Sequence, residues 1–111
     1  MTGPSVPAVS VAELPADAVL LDVREHEEWV AGHAPDAHHV PMSELTSRIG
    51  DLPDADPLYV VCRVGGRSAR VVAYLARQGF EVVNVDGGML DWAAQGRPIV
   101  GELGGVPPEI V

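Results

Sequence analysis

The stretch LYVVCRVGGRSARVVAYLARQG, residues 58–79, decides the fold. Its opening run, Leu58–Cys62, is apolar without alternation, the pattern of a strand covered on both faces. From Arg67 to Gln78 the period changes. Ala69, Val72, Ala73 and Ala76 fall on one face of a helix, and Gly79 follows as its terminator. Between strand and helix stand the adjacent glycines Gly65 and Gly66, which let the backbone curl tightly. A strand that passes through a tight loop into a helix is the unit from which α/β domains are built.

The same alternation continues outward. Ala18–Val23 (AVLLDV), His38–Pro41 and Glu81–Val85 (EVVNV) read as strands, with a weaker run near Val6–Val9. Glu25–Ala31 reads as a helix with acids in its first turn and Gly32 at its end. Ser43–Ile49 opens on a capping residue, places Leu45 and Ile49 on one face, and stops at Gly50. Met89–Gln95 forms a last helix closed by Gly96. The pattern predicts one α/β domain over residues 6–100 with a mostly parallel sheet. Residues 1–5 and the Gly/Pro-rich residues 101–111 read as terminal extensions.

A chain of 111 residues allows one domain, and 47% hydrophobic with 21% charged residues excludes disordered and collagen-like chains. No apolar run approaches the roughly 20 residues that cross a bilayer. Met1–Ser10 lacks the basic start and apolar stretch of a signal peptide, so a cytoplasmic protein is the expectation. Sixteen acidic residues against seven basic ones give a net charge of -9, a surface that repels phosphate backbones. Nucleic acids and anionic membranes are therefore not expected as partners. Every basic residue is arginine, which removes Schiff-base and P-loop lysine chemistry. Cys62 is the sole cysteine, so there is no internal disulfide and no multi-cysteine zinc site. Any thiol chemistry runs through Cys62 and an external partner.

In open α/β sheets, ligands sit outside the carboxyl ends of the strands. Cys62 ends its strand, and Arg63, Val64, Gly65, Gly66, Arg67 and Ser68 lead from it into the helix. Successive N–H groups of such a loop turn toward one point, and the helix N-terminus adds its positive end. A thiol held there has a lowered pKa. Taken alone, Cys62 favours the reading of a buried apolar residue. The arginines favour the reactive reading. Arg63, Arg67 and Arg70 surround a helix N-terminus, a poor place for cations unless an anion, thiolate or substrate, occupies the centre.

At this point the sequence resembles the rhodanese family of sulfurtransferases. The resemblance runs from about Val9 to Ile99. It is carried by residues 21–25 (LDVRE) with Glu28 and Trp29, by Gly32, His33, Ala37 and Pro41, by the loop Cys62–Ser68, and by Asp86, Gly87 and Gly88 with Trp92. His26 stands where the family usually has Pro, and residues 32–37 read GHAPDA where GHIPGA is common. These departures touch turn geometry and leave the loop intact. The resemblance implies a rhodanese-like α/β fold, a five-stranded parallel sheet flanked by helices on both faces. It also implies a cysteine that carries sulfur as a persulfide, with no cofactor and no metal.

The expected mechanism is a ping-pong transfer. Cys62 takes the outer sulfur of thiosulfate or of a persulfide donor, and a thiol acceptor or cyanide removes it. Backbone N–H groups from Val64 to Ser68 stabilise the anionic persulfide. Arg63 attracts an anionic donor. Arg67 either contacts substrate or braces the loop against a carboxylate, and bracing is favoured because buried arginines pair. Asp22 and Arg24, at a strand end beside the site, support the loop or form an ordinary ion pair. Without a second cysteine, discharge is intermolecular, to a small thiol or a sulfur-relay protein.

Three alternatives stand beside this reading. One is a sulfur-carrier or regulatory module loaded by a partner protein without turnover. Another is phosphatase- or arsenate-reductase-like chemistry, disfavoured because such loops place one residue more between cysteine and arginine than the four, residues 63–66, found here. The third is a thiol redox sensor. Other motifs read as structural. His38 and His39 point to opposite faces of a strand and cannot easily share a metal, and the family resemblance implies that His33 bonds backbone in its turn. Gly87 and Gly88 bring the chain close to the Cys62 loop, while Trp92 and Trp29 read as core.

Overall fold

The computed structural model of the chain describes residues 5–111. The expected N-terminal extension, except for Ser5, lies outside the described residues. The central element is β4 (Leu58–Val61), the strand of the opening stretch. On one side it pairs with β5 (Val82–Asp86), which pairs with β1 (Ala8–Ser10). On the other side it pairs with β2 (Leu20–Asp22), which pairs with β3 (His38–His39). The five strands are all parallel, in the order β1-β5-β4-β2-β3. The expected parallel α/β sheet is thus observed, and Cys62 follows β4 at the carboxyl edge of its centre.

Strand alternation divides the apolar residues into two cores. Leu58, Val60 and Cys62 join Leu21, Val23 and Val82 on one face, under Val71, Val72 and Leu75 of α2 (Gly66–Arg77). Val61, Leu20 and Val85 face the other way, against Met89 and Trp92 of α3 (Gly88–Ala94). Both faces of the sheet are therefore covered, which is why its central strands carry continuous apolar runs. Trp92 is buried and its indole N–H donates to the Pro98 carbonyl at 2.9 Å. Among the described residues no helix is long and apolar enough to cross a membrane.

Two expectations fail locally. The helix expected over Ser43–Ile49 is instead a pair of 3-10 segments, Met42–Ser47 and Ile49–Asp51, with Gly50 inside the second. Arg48 between them takes φ -122° and ψ 25°, which interrupts any helical ladder. Ser43, Thr46 and Ser47 are poor helix formers, and the Ser47 hydroxyl already donates to the Glu44 carbonyl at 2.9 Å. Trp29, expected in the core, lies on α1 (His26–Ala31) and is only half-buried. Its indole is sandwiched between the imidazoles of His33 and His39, with ring centroids 3.6 and 4.5 Å away. His33 does bond backbone in its turn, with Nδ1 2.8 Å from the Ala34 carbonyl.

Residues 100–111 bind the C-terminal end of α1. Val100 and His33 exchange two backbone hydrogen bonds of 2.8 and 2.9 Å, and the N–H groups of Glu102 and Glu109 donate to the Val30 and Ala31 carbonyls. The Glu102 carboxylate lies 2.8 Å from His33 Nε2.

Under α1 lies the one ion pair of the described residues with no exposure on either side. Arg24 Nη2 meets Asp22 Oδ2 at 2.7 Å, and both side chains are 0% exposed. The guanidinium also donates to the Gly32 carbonyl at 2.8 Å and to the Glu28 carbonyl at 3.4 Å. Removing one partner of such a pair leaves an uncompensated buried charge. Arg24→Met is expected to cost about 3–5 kcal/mol, seen as a lower urea midpoint at an unchanged slope.

Candidate active site

Cys62 enters its loop from the sheet, and its backbone is fixed there by α3. The Met89 and Leu90 N–H groups donate to the Cys62 and Arg63 carbonyls at 2.8 and 3.0 Å. This approach requires Gly88, where a Cβ would lie 2.5 Å from both carbonyl oxygens and φ is +56°. The expectation that the glycine pair brings the chain close to the loop is met.

Within the loop the two glycines differ. Gly65 alone uses its conformational freedom, with φ +117°, and it caps α2. Gly66 is already the first helical residue, with open space where a Cβ would be. The turn at Gly65 aims its N–H at Cys62 Sγ, 3.1 Å away, and the Ser68 hydroxyl, one turn into α2, lies 3.3 Å from the same sulfur. Cys62 is 1% exposed, whereas Arg63 and Val64 beside it are exposed.

Burial pushes the thiol pKa up. The opposing hydrogen bonds, from the Ser68 hydroxyl and from the N–H groups of Ser68, Gly65 and Val64, outweigh it, and the thiol lies below its ordinary value of 9.0. The sulfur is thus set up to ionise in place.

The arginines of the loop divide. Arg67 forms a two-pronged ion pair with Glu28 of α1, at 2.7 and 2.8 Å. That hydrogen bond holds the Glu28 carboxyl below its usual range against the burial that raises it, and it raises Arg67. Glu28 also accepts the Glu25 N–H at 3.0 Å, so one carboxylate caps its own helix and grips the next. Arg63 has no side-chain carboxylate partner among the described residues; its Nε donates to a main-chain oxygen of Val111 at 3.0 Å. Arg70 is exposed. The arginine crowding that suggested a central anion is therefore answered at Arg67 by a protein carboxylate.

A family model for the rhodanese-like domain matches residues 9–95. The chain belongs to the rhodanese family. Two curated relatives carry sulfurtransferase in their names. YtwF of Bacillus subtilis strain 168 is 42% identical over 87 residues, covering 78% of this chain and 84% of that one. The sulfurtransferase of Allochromatium vinosum is 38% identical over 89 residues, covering 79% and 83%. Among solved structures, a rhodanese-related protein of Thermoplasma volcanium superposes with a TM-score of 0.78 at 32% identity, over 85% of this chain and 97% of that one.

In this rhodanese-like domain, Val64 and Gly65 form the turn that follows Cys62, and Gly66 and Ser68 stand in the first turn of α2. Asp22 and Arg24 make no hydrogen bond to that loop; Arg24 reaches α1, whose Glu28 grips Arg67. Two participants escaped the sequence reading. Glu28 was not recognised as the partner of Arg67, a contact spanning 39 positions. Asn84 of β5, buried, donates to the Gly65 carbonyl at 3.3 Å. A lone amide among valines in a central strand was the available signal.

Two outcomes follow from this geometry. Gly88→Ala is expected to cost about 1–3 kcal/mol, while Gly66→Ala leaves the urea midpoint unchanged or higher. Since Cys62 is lowered, it stays thiolate from 9.0 down to its folded value and protonates only below that. The stability that ionisation contributes is full above 9.0 and is lost as pH falls through the folded value. Iodoacetamide rates plotted against pH should thus reach half-maximum below the value for a free cysteine, and Ser68→Ala should move that midpoint upward.

Proposed function

We propose that the chain is a rhodanese-type sulfurtransferase that moves a sulfane sulfur from thiosulfate, or from a persulfide, to a thiol acceptor or cyanide through a Cys62 persulfide. The observation that carries this reading is the buried Cys62 sulfur held by the Gly65 N–H and the Ser68 hydroxyl at the end of a central parallel strand. The names of similar proteins support sulfur transfer as its class.

In the loading step the Cys62 thiolate attacks the outer sulfur of thiosulfate. The new bond joins the two sulfurs, the old S–S bond breaks, and its electron pair leaves with sulfite. Cys62 becomes an anionic persulfide, so charge is conserved and no proton moves. In discharge an acceptor thiolate or cyanide attacks the outer sulfur, and the electron pair returns to Cys62. Neither half needs a general base, only donors to a charge that shifts by one sulfur. N–H groups from Val64 to Ser68 and the Ser68 hydroxyl fill that role.

Arg63, exposed and without a side-chain carboxylate partner among the described residues, attracts the anionic donor. Arg67 braces the loop through Glu28, and Asp22 with Arg24 support it at one remove, through α1. A lone cysteine makes discharge intermolecular, so the acceptor is a small thiol or a sulfur-relay protein. An unpaired thiol also suits a reducing, cytoplasmic setting.

Intact mass before and after thiosulfate tests the proposal. The wild type is expected to gain one sulfur atom and lose it to cyanide with repeated formation of thiocyanate; Cys62→Ser should do neither. No gain with thiosulfate, together with loading from a protein persulfide, would make the chain a carrier rather than a small-donor enzyme. No loading from either source would sink the proposal.

A further inference from the structure

We propose that Asn84 is a positioning residue: it occupies the Gly65 carbonyl so that the Ser68 hydroxyl donates its hydrogen bond to the Cys62 sulfur. The inference rests on the reactive thiol of the proposed function and names a residue that tunes it.

Ser68 has one hydroxyl proton and two acceptors within reach, Cys62 Sγ at 3.3 Å and the Gly65 carbonyl oxygen at 3.2 Å. Which acceptor receives it depends on what else the carbonyl already holds. A carbonyl oxygen has two lone pairs. One takes the Ala69 N–H at 3.1 Å, the first rung of α2. The other faces Asn84 Nδ2 at 3.3 Å. With both filled, the sulfur is the better acceptor for Ser68, most of all when it is charged.

The setting of Asn84 fits this task. Its neighbours on the strand are Val83 and Val85, and it is buried in an interior strand of the sheet. The amide orientation is forced, because Nδ2 also donates to Asp86 Oδ1 at 3.0 Å, and the flipped amide would set its oxygen against two oxygens. Its own Oδ1 is buried and has no hydrogen-bond partner among the described residues. A buried unpaired acceptor is unfavourable, and an apolar side chain there would avoid it. What an apolar side chain could not supply is the N–H to Gly65.

The charged groups around this sulfur are Arg67 of α2 paired with Glu28 of α1, Arg63 in the loop, the Asp22–Arg24 pair at the end of β2, and Asp86 on β5. Replacing Asn84 by an apolar residue changes none of their charges.

The test is the pH dependence of Cys62 alkylation by iodoacetamide in wild type, Asn84→Leu, Ser68→Ala and the double variant. Asn84→Leu is expected to raise the half-maximal pH, so that the rate on the acid side of the wild-type midpoint falls about threefold or more, which corresponds to about half a pH unit. In the Ser68→Ala background the same change should produce less than half of that shift, since the proton it redirects is gone. Should Asn84→Leu fail to fold, Asn84→Val, better suited to a strand, carries the same expectation. An unmoved midpoint in the folded variant overturns the inference, and so does a full shift that persists without Ser68. No sulfur donor enters this measurement, so failure of sulfur transfer and failure of this inference are separately visible.

Discussion

A sulfur that ionises while buried has to find its donors within the protein, and the rest of this structure depends on that demand. Water is excluded from Cys62, so burial alone would hold the thiol neutral. The loop reverses this with neutral groups: the Gly65 N–H, the Ser68 hydroxyl and the nearby N–H groups of Val64 and Ser68. These donors can point at one atom only if the chain reverses sharply after β4 and at once begins a helix. Gly65 at φ +117° makes the reversal and α2 makes the helix. The requirement thus descends from one atom to a turn, and from the turn to the position of a whole helix.

A loop this short cannot hold itself, and each neighbouring element contributes a brace. From the α3 side, Met89 and Leu90 hold the carbonyls at the loop's start. From β5, Asn84 holds the Gly65 carbonyl. From α1, Glu28 holds Arg67. That helix is itself held from below by Arg24, whose guanidinium is fixed by Asp22. The buried pair is therefore weak evidence of net stability, since its desolvation offsets much of its attraction. Its contribution is geometric. It fixes where α1 ends, and so where the Glu28 carboxylate stands.

Much of this was legible in the sequence because it is written in local chemistry. Apolar runs, glycine stops and the glycine pair after Cys62 are read within a few residues of one another, and they yielded the parallel α/β sheet and the loop. The features that escaped depend on distance along the chain or on a balance of small terms. Glu28 meets Arg67 only after the sheet has been assembled. Ser43–Ile49 has a helical pattern, but the hydrogen bond from the Ser47 hydroxyl to the Glu44 carbonyl helps tip a short segment into 3-10 turns. Trp29 looks like core, yet two histidines from different segments cover it. The resemblance to a family supplied order to motifs that are individually weak, but nothing in those motifs marks Asn84.

The choice of neutral donors has a consequence for the proposed cycle. Had a cation paired directly with Cys62, it would hold charge most strongly at the inner sulfur and resist its movement to the outer one. Arg67, at the start of α2, is instead committed to Glu28. N–H and O–H dipoles converging on a small volume serve either position of the charge, and none of them titrates near neutral pH. The ionisation that would limit loading in that cycle is then that of Cys62 alone, and Arg63, without a side-chain carboxylate partner among the described residues, stands at the exposed rim where the proposed cycle would receive an anionic donor. Under the proposed cycle, the division between Arg67, braced by Glu28, and Arg63, exposed at the rim, would separate holding the loop from attracting the substrate.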